Sequence, residues 1–411
     1  MRREIARVFV GFAIIILAPS SLGQSTVEMG SVVVLDDGDL GIEGISVSTD
    51  HGLILAHGAN SEVFLVDSDS PENNSRIEWN GDYTLLDSSF HPGGETALIV
   101  GEGGNLLRLT LANSSIEQAG GSSIFGETLL SAVSWNADGS WAYIGGEDGW
   151  IWRFRSMDDG VVEAIPLENR GESVISGISC LRGYNICAIS SIMGGIGIID
   201  QEHDLHWIGG FGTPWVDIAC HSDEISECVV ISSDLTIASI VIEVEEASET
   251  AIYDNDIVQL QGFVGVMTGI EVQSDGVSLI SLAPFGLIEH DIEASMSFHW
   301  LDNTDAVEFD VGISDQRIVG TWGSGFFKGW LITDRGSIVS FDPVSQSESN
   351  SMLEIWIGII ILGGATLLMA SLMVSSSPKL SRWLTKKIGS EEERRDVLRE
   401  ERRQSRKKRR A

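Results

Sequence analysis

The chain has 411 residues, of which 43% are hydrophobic, so it is long enough to bury at least one large core. Its 46 glycines and 8 prolines exclude a collagen-like or largely disordered chain and favour many short strands joined by glycine turns. The formal net charge of −34 is an average over two very different regions.

A basic C-terminal tail follows a strongly acidic remainder. Of the 26 basic residues, 14 lie after Pro378 and three more, Arg2, Arg3 and Arg7, stand at the N-terminus. Nine basic residues are left in the long stretch between, against 53 acidic ones, which gives that stretch a net charge of −44. A field of this sign repels nucleic acid and anionic lipid and attracts cations or a basic partner. It also serves solubility in a salty exterior, which is the simpler interpretation.

Residues 1–23 have the features of a secretory signal peptide. Three arginines precede an apolar run, Val8 to Leu17, that is too short to span a bilayer. Ser21 and Gly23 then place small residues where a signal peptidase would cut. The alternative is an uncleaved N-terminal anchor.

An isolated β-branched strand, Ser31 to Leu35, follows, and a cluster of carboxylates comes directly after it. Asp36, Asp37 and Asp39 offer the oxygen ligands that calcium prefers. The cluster lacks the longer loop and the distal glutamate of known calcium motifs, so a solvated turn is the favoured interpretation and no cofactor is predicted.

The stretch Trp135 to Phe154 (WNADGSWAYIGGEDGWIWRF) predicts three strands separated by two glycine turns, because Asp-Gly pairs favour tight turns and the apolar and aromatic runs between them favour strands. Two stretches align with it without gaps, and four align more loosely. In chain order the copies are Val47 to Val66, Phe90 to Leu109, Trp135 to Phe154, Ser179 to Asp200, Ala219 to Ile240, Val272 to His290 and Trp322 to Phe341. Their spacing of roughly 40–50 residues is typical of four-stranded propeller blades.

This pattern resembles the WD-repeat β-propeller family, whose blades carry an Asp-Gly turn and then a Gly-x-x-Asp-Gly turn. The third strand nevertheless lacks the family's Trp-Asp ending, since Arg153 and Phe154 stand there, and no Gly-His pair introduces a fourth strand. The resemblance implies an all-β fold, a propeller of about seven blades over residues 31–342. Six or eight blades stay possible, depending on how the acidic stretch Val241 to Val266 and the insertion Ser295 to Ile313 are divided.

The last copy has no fourth strand after it, so we predict that Ser31 to Leu35 supplies one and closes the ring. Trp150 and Trp152 alternate with Ile151 and therefore share a face of their strand. They would serve as a ligand platform or, more simply, pack between blades. Two glycosylation sequons begin at Asn73 and Asn113.

Four cysteines flank equivalent hairpin turns in two successive copies. Spacings of seven and eight residues favour the pairs Cys180–Cys187 and Cys220–Cys228, because opposed hairpin residues bring Cβ atoms to a distance that a disulfide matches. An exported chain meets the oxidising conditions in which disulfides persist. A zinc site that includes His221 is the rival interpretation, but its spacing matches no known zinc pattern.

A polar linker, 343–352, precedes an apolar stretch, 353–374, which is long enough to cross a membrane as a helix. The basic tail, 375–411, predicts a cytoplasmic C-terminus and therefore an extracytoplasmic propeller in the cell membrane. Apolar residues at helical spacing alternate with basic ones just after the span. This pattern predicts a helix on the inner leaflet whose surface contacts are Lys379, Arg382, Trp383, Lys386 and Lys387.

No nucleophile elbow, phosphate loop or metalloprotease motif is present in the sequence, and the few arginines are scattered. The chain is therefore predicted to be a membrane-anchored scaffold that binds a protein or a glycan, with no nucleic acid bound by the propeller. A hydrolase or lyase that uses carboxylates at the central channel is an alternative, as is an assembly factor for envelope complexes.

Overall fold

The computed structural model describes residues 27–50, 52–156, 162–221, 226–274, 276–302, 307, 311–325, 328–343, 364 and 377–408. They belong to two compact units, residues 1–344 and 345–411. The predicted signal peptide lies outside the described residues, as do the predicted linker after Pro343 and the predicted span except Gly364. Within the described part of the chain, no helix combines the length and the apolar character that crossing a membrane requires.

Unit 1 consists of seven four-stranded antiparallel sheets, which confirms the seven-bladed propeller. The strands of blades 1 to 3 are β2 (Ile42–Val47), β3 (Leu53–Gly58), β4 (Val63–Asp67), β5 (Asn74–Arg76), β6 (Leu85–Phe90), β7 (Thr96–Gly101), β8 (Leu106–Thr110), β9 (Ser115–Gln118), β10 (Leu130–Trp135), β11 (Ala142–Gly146), β12 (Ile151–Ser156) and β13 (Val162–Pro166). Those of blades 4 to 6 are β14 (Ile175–Cys180), β15 (Cys187–Ser191), β16 (Gly195–Ile199), β17 (Leu205–Gly209), β18 (Trp215–Cys220), β19 (Glu227–Ser232), β20 (Thr236–Val241), β21 (Ile257–Gln259), β22 (Val266–Ser274), β23 (Val277–Ala283), β24 (Leu287–Asp291) and β25 (Met296–Leu301). Blade 7 combines β26 (Ile318–Gly325), β27 (Lys328–Thr333) and β28 (Ser337–Pro343) with β1 (Val27–Val34).

The first strand of each blade is its inner strand, and each inner strand contacts those of the two neighbouring blades all the way round the ring. Because the strands of a blade alternate in direction, the turns between first and second strands and between third and fourth strands lie at one end, here called the mouth rim. The other turns and the connections between blades lie at the opposite rim.

The predicted glycine turns are present. In blade 3, Gly139 adopts φ +72° and its N–H donates to the carbonyl of Asn136, and Gly94 repeats this in blade 2 with φ +75°. A Cβ at Gly149, in the next turn of blade 3, would lie 2.3 Å from the carbonyl oxygen of Gly171. The turn therefore depends on a residue without a side chain, both for its positive φ and for the close approach.

The N-terminal strand closes the ring, as predicted, although it begins earlier than the sequence indicated. β1 runs antiparallel to β28, from the pair Val27–Pro343 to the pair Val34–Ser337. The first and last strands of the propeller are thereby joined by backbone hydrogen bonds, which leaves no open blade edge at the seam. Both Val27 and Pro343 lie at the mouth rim.

The core lies between adjacent blades, because each sheet is covered by a neighbour on both faces. The second strands show this most clearly, since β7, β11, β15 and β19 are buried along nearly their whole length. Trp152 packs edge-on against Phe125 with ring centroids 5.1 Å apart and stacks on Trp150 at 5.4 Å. Trp152 is 6% exposed, so it takes part in packing between blades and not in a ligand platform.

The acidic stretch after β20 is a loop that precedes the fourth strand of blade 5, β21. In the insertion after blade 6, β25 serves as the fourth strand of that blade, so the described part of the insertion adds no further blade.

Unit 2, in its described part, contains two helices, α1 (Pro378–Ile388) and α2 (Glu391–Lys408). This confirms a helical tail. The Lys386 ammonium lies 2.6 Å from a carboxylate oxygen of Glu401, and an Arg394 guanidinium N–H donates to the carbonyl of Lys387. The two helices are therefore held together by polar contacts.

A central funnel as the candidate functional site

A cavity of about 1290 Å³ opens along the centre of the ring at the mouth rim, and we call it the funnel. All seven inner strands line it. Each inner strand contains a β-bulge, and the third residue after that bulge lines the funnel. These residues are Ser46, Ser89, Ser134, Ser179, Ala219, Glu271 and Trp322. Six of the seven have no ionisable side chain, so Glu271 is the single ionisable residue of this layer.

The waist above the funnel is built from very small residues. Two positions earlier on each inner strand stand Gly44, Asp87, Ala132, Gly177, Asp217, Gly269 and Gly320. A Cβ at Gly320 would lie 2.5 Å from the side chain of Ile45 in the next blade, and one at Gly177 would lie 2.8 Å from the Asp217 carboxylate. Glycine therefore allows the inner strands to approach one another closely at the waist.

The two aspartates of the waist tie blades together. One oxygen of Asp87 accepts the N–H of Ser88 at 2.7 Å, and the other accepts the N–H of Val133 in the next blade at 2.7 Å. Asp217 repeats the arrangement, accepting the N–H of Ile218 at 2.8 Å and, across the blade boundary, that of Ile270 at 3.0 Å. Each carboxylate is thus a bridge between an inner strand and its successor.

Burial controls the ionisation of the three channel carboxyls. It raises the pKa of Asp87 from 3.8 to about 7, with a smaller contribution from the charge of Asp217, while the N–H bonds oppose the shift. Burial likewise raises the pKa of Asp217 to about 6. The pKa of Glu271 lies well above its usual range, first because of burial and then because Asp217 and Asp87 are negatively charged.

Five aromatic residues are among those that line the funnel. Trp135 and Trp330 are partly exposed, whereas Phe90, Trp322 and Phe341 are buried between blades. Trp322 is fixed in place because its indole N–H donates to the carbonyl of Ser68 at 3.0 Å. Trp135 is held by the edge of the His91 ring, 4.6 Å away. Contacts to neighbouring blades therefore fix both of these tryptophans, and polar side chains make up much of the rest of the wall.

Two disulfides reinforce the mouth rim, and they are the predicted pairs. Cys180–Cys187 and Cys220–Cys228 each join residues directly opposed on the first two strands of a blade, with Cα atoms 3.9 and 4.0 Å apart. All four cysteines are consumed in these bonds, which overturns the rival zinc interpretation. Cys180 and Cys220 also line the funnel.

No protein-family model matches the chain, and no curated protein matches it in sequence. Among solved structures, the chain is similar to the crystal structure of the Cps50 (Swd1) β-propeller domain from Myceliophteria thermophila. The TM-score is 0.60 and the identity 8%, and the match covers 77% of this chain and 99% of that one. The chain is a seven-bladed β-propeller. At this level of identity the likeness concerns the fold alone.

The other residues singled out in the sequence lie away from the funnel of this propeller. Asn73 and Asn113 are exposed beside the turns between third and fourth strands in blades 1 and 2. The Ser115 hydroxyl of the second sequon donates to the Asn113 side-chain oxygen at 2.8 Å. Both asparagines are on the mouth rim.

The carboxylates considered for calcium organise a turn. Asp36 accepts the N–H of Asp37 and lies 3.7 Å from the Arg76 guanidinium, and Asp39 accepts the N–H of Gly41. Across the described ranges, no group of three or more His, Cys, Asp or Glu side chains is arranged to hold a metal ion.

The five predicted membrane-surface residues are all in α1. Trp383 is 58% exposed and carries the Lys387 ammonium 5.0 Å from its ring centre, and Arg382 is exposed. Lys386 is paired with Glu401 instead. Lys379 belongs to the first turn of the helix. The helix is confirmed, and its contact with lipid stays a prediction.

Sequence reasoning missed the carboxyls of the channel. A signal for Asp87 was present, since this acidic residue stands in an apolar inner strand where the gapless copy in blade 3 has Ala132. Asp217 and Glu271 lie in the weaker copies, and their equivalence became visible only once the strands were paired.

Proposed function

We propose that this WD-repeat-like propeller is a protein-binding scaffold whose partner enters the funnel at the mouth rim. The observation that carries the proposal is the funnel itself, about 1290 Å³ in volume and lined by all seven inner strands with both polar and aromatic side chains. Concave, largely pre-formed sites of this kind are where proteins usually bind their ligands. The bonds between blades and the two disulfides pre-organise this site, which lowers the entropic cost of binding.

The hydrolase alternative requires two carboxyls that are free to exchange protons with a substrate. Asp87 and Asp217 both use their two oxygens to accept backbone N–H groups. Of the three carboxyls on the inner strands, Glu271 alone is left to face a bound molecule, which supports binding over acid–base catalysis there.

We also propose that the scaffold is exported and anchored in the cell membrane by residues 353–374, with its tail in the cytoplasm. The signal-like N-terminus, the two disulfides and the basic flank after the apolar stretch support this placement. Protease added to intact cells should digest the propeller and leave an epitope at the C-terminus protected. Protection of the propeller together with exposure of the tail would reverse the topology.

The scaffold is tested by filling the funnel. Val272 lines the funnel and is 38% exposed, whereas Val264 precedes the same inner strand at the opposite rim and is 89% exposed. Partners that co-purify with the wild type from its native membrane should be lost with Val272→Trp and retained with the matched control Val264→Trp. Equal melting temperatures establish that both variants fold. Loss with the control variant alone would place the binding site at the opposite rim.

A further inference from the structure

Glu271 is a carboxyl without a counter-ion inside the funnel. It makes no hydrogen bond to any residue that the structure describes, while Asp87 and Asp217 beside it are each bonded to two backbone N–H groups. The two basic residues of the lining do not neutralise it: Lys328 lies 3.9 Å from Asp342, and Arg182 is exposed at the rim. A partly buried carboxylate without a partner is costly, and a cation delivered by a ligand would remove that cost.

The surroundings of Glu271 suit an organic cation better than a metal ion. Two partly exposed tryptophans, Trp135 and Trp330, line the cavity, and the faces of Trp rings attract ammonium and guanidinium groups. The hydroxyls of Ser46, Ser89 and Ser134 occupy the equivalent positions on three other inner strands, where they offer acceptors to a ligand with several N–H donors. Metal coordination would need several ligand side chains grouped closely, and the described residues contain no such group.

The charge of the molecule favours the same class of ligand. The stretch that contains the propeller has a net charge of −44, so its field draws basic groups toward the surface and repels acidic ones. We infer that the funnel receives a basic side chain, arginine or lysine, from the partner protein, with Glu271 as its counter-ion. This inference rests on the proposed function and names the chemistry that the partner must present.

The test uses short peptides as probes. Acetyl-Gly-Gly-X-Gly-Gly-amide, with X as arginine, lysine, glutamine or glutamate, is titrated against the purified detergent-solubilised full chain by calorimetry and by the fluorescence of the funnel tryptophans. The arginine and lysine peptides should bind at least about tenfold more tightly than the glutamine peptide, as expected for a charge-assisted contact. Equal binding of the four peptides, or preference for glutamate, would overturn the inference.

Two variants identify the residue responsible. Glu271→Gln keeps the size of the side chain and removes its charge, so the preference for the basic peptides should fall to about twofold or less, a tenfold ratio being worth about 1.4 kcal/mol. Asp82→Asn removes one exposed charge at the opposite rim and should leave the preference unchanged. If both variants lose the preference equally, the general field attracts the peptides and Glu271 is not the counter-ion.

The native partner separates this inference from the proposed function. If Val272→Trp abolishes partner capture while Glu271→Gln leaves it intact, the funnel is the binding site but the cation contact is wrong. If neither variant affects capture, the proposed function fails as well. Loss of the partner with both variants supports the two together.

Discussion

Replacing Asp87 with asparagine should change how the stability of the propeller depends on pH. In the folded state the pKa of Asp87 is raised from 3.8 to about 7, because the carboxyl is buried. A carboxyl with a raised folded-state pKa contributes its full stability at pH values below its unfolded pKa. That contribution is lost as pH rises toward the folded pKa, since the unfolded chain releases the proton first.

The size of the effect follows from the shift. About three pKa units correspond to a free energy of order 4 kcal/mol, and about 3 kcal/mol of it should be lost between pH 5 and pH 8. Asparagine does not titrate, so it escapes this loss, but its amide group supplies one acceptor where the carboxyl supplies two. Either Ser88 or Val133 then loses an N–H bond, at a cost of about 1 kcal/mol. By pH 5 the wild type has already lost more than about 1 kcal/mol of its low-pH stability. Asp87→Asn should therefore be within about 1 kcal/mol of the wild type at pH 5 and about 3 kcal/mol more stable at pH 8.

The assay is urea unfolding followed by tryptophan fluorescence at several pH values, with the disulfides intact. Asp82→Asn is the control, because it removes the same charge from an exposed position and reports the general effect of the acidic surface. The unfolding free energy of Asp87→Asn relative to this control should increase by about 3 kcal/mol between pH 5 and pH 8. A difference that stays constant over that range would refute the burial argument.

Four further changes test other parts of the structure. Replacing Cys220 and Cys228 with serine should cost about 2–3 kcal/mol of unfolding free energy, as expected for the closure of a short loop, and a lower urea midpoint would show it. Burial lowers the pKa of His57 to about 4, so the contribution of this residue to the unfolding free energy is complete above pH 6.5 and is lost as pH falls toward 4. His57→Gln should therefore reduce the difference between urea midpoints measured at pH 4.5 and at pH 7. Deleting Val27–Val34 should leave the edge of the last blade unpaired and yield aggregates on size-exclusion chromatography, whereas a stable monomer would contradict the role of this strand in closure. Glu271→Gln should raise the melting temperature of the unliganded protein more at pH 8 than at pH 5, because a raised carboxyl pKa costs stability as pH rises and glutamine does not titrate.

The fold could be predicted from the sequence because the residues that determine each blade lie close to one another along the chain. Each blade repeats two turns that need glycine at fixed offsets, and the alignment of Gly94 with Gly139 placed the strands of two blades. The closing strand could be predicted because the last copy lacked a fourth strand and one strand near the N-terminus belonged to no copy. Its start at Val27 was missed because Gly30 and Ser31 form a bulge within the pairing, so the β-branched run marks only the part after the bulge.

The funnel could not be predicted in the same way. Which residues line it depends on the bulge in each inner strand, which shifts the side chains after it by one position. The aspartates look like ordinary surface residues in a chain with 60 acidic ones. Their bonding partners, such as Val133 for Asp87, lie in the next blade, and only the assembled ring brings them together.

The close packing of the waist connects stability to binding. Glycines such as Gly320 bring the inner strands together, and this proximity removes water from the channel carboxyls and raises their pKa values. At Asp87 and Asp217 the ring recovers part of that cost through bonds that join successive blades. At Glu271 the residues that the structure describes form no such bond to the carboxyl. A partly buried carboxyl that the fold does not stabilise is better explained by function than by stability. If a basic group of the partner pairs with Glu271, binding supplies the stabilising contact that this carboxyl lacks in the free protein.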